Sequence, residues 1–117
     1  MSMKKILVVD DSNADRTNLE RIVSGQGCVV STAANGREAL AAAKVAKPDL
    51  IFLDIVMPEM DGYETCRLLK ADPDTKDIPV IFVTSKNAKS DKVWAQMQGG
   101  QDLVAKPYDD AQIAAHI

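Results

Sequence analysis

Two apolar runs in this chain end in carboxylates. Ile6, Leu7, Val8 and Val9 lead into Asp10 and Asp11, and Leu50, Ile51, Phe52 and Leu53 lead into Asp54, after which Pro58 halts the extended backbone. Two further runs end in other polar groups: Ile78 to Val83 in Thr84-Ser85, and Leu103 to Ala105 in Lys106-Pro107. Unbroken apolar runs of this length suit parallel strands covered on both faces. If they are parallel, one rim of the sheet gathers three carboxylates, a hydroxyl and an ammonium, at the edge where open α/β sheets bind ligands. Three ionised carboxylates repel one another and call for a compensating cation. A hard divalent ion fits, Mg²⁺ first, because it takes one or two carboxylates and keeps waters for substrate oxygens. Lys106 cannot be a ligand, but as a point charge it can pair with Asp54 and then with a phosphoryl oxygen. Thr84 offers a hydroxyl to another such oxygen. These are the parts of phosphoryl transfer onto an aspartate, with metal and ammonium flanking the equatorial oxygens.

Each piece alone has an ordinary explanation. A strand-terminal aspartate is commonly a helix cap, a Thr-Ser pair after a strand is commonly turn chemistry, and a lone lysine is commonly solvated. Their joint placement, with at least one such group at each of four strand ends, carries the functional reading.

The elements that must position these groups alternate along the chain. After Asp11, Ser12 caps a helix with Asp15 in its first turn and Leu19, Ile22 and Val23 at helical spacing; Gly25 and Gly27 end it. Cys28 to Ala33 is shorter and more polar, as an edge strand should be. Asn35-Gly36-Arg37-Glu38 opens an alanine-rich helix, and Asp61-Gly62-Tyr63-Glu64 opens a third with Leu68 and Leu69 on its buried side. Ser90 starts a fourth, with Val93 and Met97 as its inner face and Gly99-Gly100 as its stop. Asp109-Asp110 begins a last helix through Ile113 and Ile117. Five strand–helix alternations with short connections predict a doubly wound α/β sandwich. The last helix is short for such a fold, which leaves open a natural end beyond Ile117.

Bulk properties narrow the classes. One domain of 117 residues, 46% hydrophobic and 26% charged, is an ordinary globular chain with enough core to need no staples. A net charge of −3 argues against a nucleic-acid surface. No apolar run reaches membrane-span length and no secretory leader opens the chain, so neither membrane insertion nor export is expected, and the expected location is cytoplasmic. Cys28 and Cys66 lie outside any Cys-x-x-Cys pattern and read as small buried side chains in a reducing compartment.

Val8-Val9-Asp10-Asp11-Ser12, Asp54-Ile55-Val56-Met57-Pro58 with Asp61-Gly62, Val83-Thr84-Ser85 and Lys106-Pro107 together resemble the CheY-like receiver domains of two-component response regulators, over the whole of residues 1–117. The resemblance implies a flavodoxin-like (βα)5 fold with a five-stranded parallel sheet in the order 2-1-3-4-5. It implies that Asp54 is the phosphoacceptor for a sensor histidine kinase. It further implies that Asp10, Asp11, Asp54 and the Val56 backbone carbonyl surround Mg²⁺, that Thr84 and Lys106 contact the phosphoryl group, and that the Lys106–Pro107 bond is cis. No separate output domain is expected, so the effect would come through an unknown protein target or by draining phosphate from a shared kinase. A monomer or weak dimer is expected, catalysing only its own phosphorylation and dephosphorylation. Asp91-Lys92-Val93-Trp94 and Gln98-Gly99 further resemble PilH-type single-domain receivers of chemosensory systems governing type IV pili and twitching motility.

Leu103 departs from the family pattern. Many receivers carry an aromatic residue three positions before the lysine, and its rotamer follows the threonine's contact with phosphate. Trp94, with Met97 three residues on, is either packed on the core or part of a docking patch that Tyr108 could join. Val56 and Lys86, two residues after Asp54 and Thr84, lie where family members line the path of the hydrolytic water; an apolar and a long residue there predict slow loss of phosphate. His116 reads as a surface residue of the final helix. The alternatives are a phosphorylation-independent interaction module and a phosphatase with an aspartyl-phosphate intermediate. The latter is disfavoured because Val56 stands where such enzymes commonly place a second carboxylate.

Overall fold

The computed structural model describes residues 3–85 and 89–117. Five parallel strands, β1 (Lys5–Val9), β2 (Val29–Ala33), β3 (Leu50–Asp54), β4 (Val80–Thr84) and β5 (Asp102–Ala105), form one sheet in the order β2-β1-β3-β4-β5. Helices α1 (Asn13–Gly25), α2 (Gly36–Ala46), α3 (Gly62–Ala71), α4 (Lys89–Met97) and α5 (Asp110–Ala114) alternate with them. The expected doubly wound α/β sandwich and its strand order are both found. The two central runs, β3 and β4, are buried at every position. That explains their unbroken apolar sequences: a strand covered on both faces has no solvent side on which to place a polar residue.

Alternation along the strands divides the core in two. Leu7, Val9, Ile51, Leu53 and Phe82 pack with Ala39, Ala43, Cys66 and Leu69 on the α2–α3 face. Ile6, Val8, Phe52, Ile81, Val83 and Val104 pack with Leu19, Ile22, Val23 and Ile113 on the α1–α5 face. The helix starts are built as expected: Ser12, Asn35, Asp61 and Asp109 each accept from the backbone N–H three residues on. At α2 the reciprocal bond runs from Ala34 N–H to Glu38 Oε1, one residue earlier than in the usual capping box.

Several local expectations are corrected. Leu68 is exposed and only Leu69 of that pair is buried, because neighbours on a helix point about 100° apart; Tyr63, Thr65 and Cys66 complete the inner face of α3. Val93 and Met97 are exposed, and among the described side chains of α4 the inward one is Ala95. The small alanine fits because Phe82 and Tyr63 already fill that side, their rings meeting edge to face with centroids 5.2 Å apart. The side chain of Ser90, expected to start this helix, lies outside the described residues, as does Lys86. The last helix ends at Ala114, and Ile117 packs against the α1–α5 core from beyond it. His116 is half-buried and its Nε2 lies 3.1 Å from Asp102 Oδ2, so it is a paired residue instead of a free surface one. Of the two cysteines, Cys66 is buried and Cys28 half-buried.

Candidate functional site

Strand register decides which polar groups meet. Val9 pairs with Leu53, so Asp10 follows level with Asp54. Asp54 pairs with Val83 and Thr84 with Ala105, so Thr84 and then Lys106 step outward from the same rim. Alternation gives Asp10, Asp54 and Lys106 the parity of Val8, Phe52 and Val104, towards α1 and α5, while Thr84 has the parity of Phe82.

Asp10 and Asp54 are buried and Asp11 is exposed, and one carboxylate oxygen from each lies within 4.8 Å of the others. Lys106 Nζ donates to Asp10 Oδ2 at 2.9 Å and stands 3.9 Å from Asp54 Oδ1. Asp10 Oδ1 accepts from the Ser12 backbone N–H at 2.9 Å, which aims the carboxylate at the rim. Burial, then the charge of Asp10 and to a smaller extent Asp11, push the Asp54 carboxyl up to about 7 against the downward pull of Lys106. For the Lys106 ammonium, burial acts to lower its pKa. The hydrogen bonds to Asp10 and Asp15 and the charge of Asp54 outweigh it, and the net shift is upward.

The donor set is all hard oxygen and carries more negative charge than one lysine neutralises, so it suits a divalent cation with oxygen preference. Asp10, Asp11 and Asp54 would hold Mg²⁺. Close packing behind Asp54 keeps it in place. Gly62 N–H donates to Ile55 O at 2.8 Å, and a Cβ at Gly62 would fall 2.2 Å from the Asp54 carbonyl oxygen. The glycine after the Asp61 cap is therefore required by the approach of α3 to the end of β3.

The structure thus brings together Asp10, Asp11, Asp54 and Lys106. Thr84 is fully buried at the end of β4, and its backbone carbonyl accepts from Lys106 N–H at 2.7 Å. Val56, beyond Asp54, exposes its side chain. The Lys106–Pro107 bond is cis, as the resemblance implied. Leu103 is half-buried against the α2–α3 core and Trp94 is half-exposed, its ring edge-on to Tyr63 with centroids 6.3 Å apart. Two residues of α1 were not expected at the site. Arg16 Nη1 donates to the Asp10 backbone carbonyl at 2.8 Å, and Asp15 Oδ2 accepts from Lys106 Nζ at 2.9 Å. Asp15 was legible in sequence only as a first-turn acidic residue. Its meeting with Lys106 depends on α1 packing against the face that β5 shares.

Comparison with known proteins agrees with this geometry. PilH of Pseudomonas aeruginosa is 42% identical over 108 residues, spanning 92% of this chain and 89% of PilH. PilG of the same organism is 37% identical, spanning 97% and 84% of the two chains. The high-resolution structure of the chemotaxis response regulator CheY4 of Vibrio cholerae superposes with a TM-score of 0.91 at 31% identity, covering 98% of this chain and 96% of that one. The model of the response regulator receiver domain matches residues 6–117, from the first core residue of β1 to the end of the chain, and by that match the chain belongs to the receiver-domain family.

Proposed function

We propose that this protein is a phosphorylation switch in which Asp54 takes a phosphoryl group from the phosphohistidine of a sensor kinase. The observation that carries the reading is the meeting of Asp10, Asp11, Asp54 and Lys106 at one rim, with Asp54 under electrostatic strain. An Asp54 oxygen attacks phosphorus as the phosphorus–nitrogen bond to the donor imidazole breaks, leaving an acyl phosphate. Lys106 is within a small side-chain movement of that phosphate, and Thr84 supplies a hydroxyl from β4. Bound Mg²⁺, held by the three carboxylates and the Val56 carbonyl, would neutralise charge on the transferring oxygens. Asp10, fixed by the Ser12 N–H, would present its carboxylate to that ion instead of competing as a second nucleophile.

The resting site carries excess negative charge; phosphorylation and the ion that accompanies it redistribute that charge and change the neighbouring surface. The output is then contact with a protein target, or removal of phosphate from a shared kinase. Likeness to PilH and PilG supports a place in pilus-based motility or chemosensory signalling. Half-buried Leu103, where an aromatic rotamer commonly reports phosphate, favours a second reading: an interaction module whose binding is independent of phosphorylation.

Incubation with acetyl phosphate and Mg²⁺, followed by intact mass, tests the first reading. One added phosphoryl group is expected on the parent and none on Asp54→Asn; an unmodified parent would sink the switch. Kinase phosphate decay measured with and without the protein then separates sink from target-binding output.

A further inference from the structure

Lys106 is shared between two carboxylates, and neither is Asp54. Its Nζ donates to Asp10 Oδ2 and to Asp15 Oδ2, each at 2.9 Å, while Asp54 Oδ1 at 3.9 Å lies outside hydrogen-bond range. With two of three donors committed, the ammonium is held off the residue whose phosphate it would contact. The two holders differ in burial. The Asp10 side chain is 2% exposed and that of Asp15 48% exposed. Stripping a cation from buried Asp10 leaves an uncompensated charge away from water, whereas Asp15 can be rehydrated at little cost. Asp15 is therefore the partner Lys106 can leave.

The position of Asp15 is built, not incidental. Ser12 Oγ accepts from its N–H at 3.3 Å, and Arg16 ties the same turn of α1 to the Asp10 carbonyl. Helix α1 packs on the sheet face whose parity Asp10, Asp54 and Lys106 share. Beside the pair lies a cleft of about 390 Å³ lined by Asp15, Asn18, Ser85, Lys106, Pro107 and Tyr108, giving both side chains room to change rotamer without disturbing the core.

We propose that Asp15 is a positioning residue for the phosphorylated state: it holds Lys106 back in the resting protein, and engagement of Lys106 by a phosphoryl group on Asp54 breaks the Asp15–Lys106 contact. This rests on the reading of Asp54 as phosphoacceptor. The phosphoryl oxygens compete with the Asp15 carboxylate for the same ammonium, so the first turn of α1 senses the chemistry on β3. No covalent step is involved.

The test is binding of beryllofluoride, a non-covalent phosphoryl mimic, with Mg²⁺, followed by fluorine NMR. Asp15→Asn is expected to bind about three- to tenfold tighter than the parent, within the range of couplings between contacting groups. Glu20→Gln removes the same charge from the same helix more than a turn further on and is expected to stay within about twofold. In a Lys106→Met background the gain from Asp15→Asn is expected to shrink to within about twofold, because the effect passes through the lysine. An equal gain from Glu20→Gln, or a gain that survives Lys106→Met, would make Asp15 a plain surface charge and overturn the proposal. No gain, or weaker binding, in Asp15→Asn overturns it as well and leaves the phosphoacceptor reading standing. A parent that binds no beryllofluoride removes both.

Discussion

Asp54 is a carboxylate whose surroundings resist its ionisation. Burial and the neighbouring Asp10 and Asp11 push it up to about 7, from an unfolded value near 3.8. The folded chain therefore binds this proton more tightly than the unfolded chain. Its contribution to stability is complete below about pH 4 and is lost as pH rises towards about 7. In the metal-free protein at pH 8, Asp54→Asn is expected to raise stability by about 1–3 kcal/mol, less than the full shift implies because the rim meets water. The advantage should vanish near pH 4, which urea melts at the two pH values would check; equal gains at both would show that the charge is not the cause. Lys106 works in the opposite sense. It neutralises part of the cluster and so competes with a divalent ion, and Lys106→Met is expected to tighten Mg²⁺ binding several-fold while lowering metal-free stability. Calorimetric titration with Mg²⁺ measures the first effect, and an unchanged or weaker affinity would count against it.

At the level of elements, placement rests on helix starts pressed against strand ends. The Asp61 side chain accepts from Glu64 N–H at 2.9 Å and begins α3 where its next residue touches the backbone of Asp54. Gly62→Ala is expected to cost about 1–3 kcal/mol or more, since the clash would be with backbone that cannot yield, and to displace Asp54 enough to weaken Mg²⁺ binding. Asp61→Ala, which removes the cap without adding volume, should cost about 1 kcal/mol and leave the metal site near its parent affinity. Thermal melts and Mg²⁺ titrations of both variants separate crowding from capping; equal effects would refute the distinction. Periodicity misled at α4 for a related reason. Val93 and Met97 repeat at helical spacing, yet Tyr63 and Phe82 occupy the inner side, and of the described α4 side chains it is Ala95 that is buried there. A pattern of apolar residues marks a face, but which face is covered depends on the volume already filled opposite it.

Across the whole molecule, two apolar layers hold the sheet rigid so that four strand ends keep their spacing. Phe52, fully buried two residues before Asp54, is central to the α1–α5 layer; Phe52→Ala is expected to cost about 3–5 kcal/mol by loss of burial and an unfilled cavity. The cysteines report on the same packing. Burial pushes the Cys66 thiol up to about 11, so in native protein an alkylating reagent should modify half-buried Cys28 first and reach Cys66 only on unfolding. Peptide mapping after brief alkylation checks this, and early labelling of Cys66 would mean that the α2–α3 layer opens readily.

How much of this was present in the residues alone follows from what each feature depends on. A strand buried on both faces must be apolar throughout, so its polar terminus stands out, and Asp10, Asp54 and Thr84 were legible as strand-end groups for that reason; Lys106 was legible from the short apolar run Leu103 to Ala105 before it. Helix starts were legible because Ser12, Asn35, Asp61 and Asp109 satisfy donors only three residues away. Contacts between elements far apart in the chain were not. Nothing local to Asp15 announces Lys106, 91 positions on, and nothing local to Val93 or Met97 reveals that neighbouring side chains already fill the interior. Local chemistry and hydrophobic periodicity determined which groups reach the rim; only packing, which sets distances between separate elements to within a side chain's reach, decided that α1 would place a second carboxylate on the lysine.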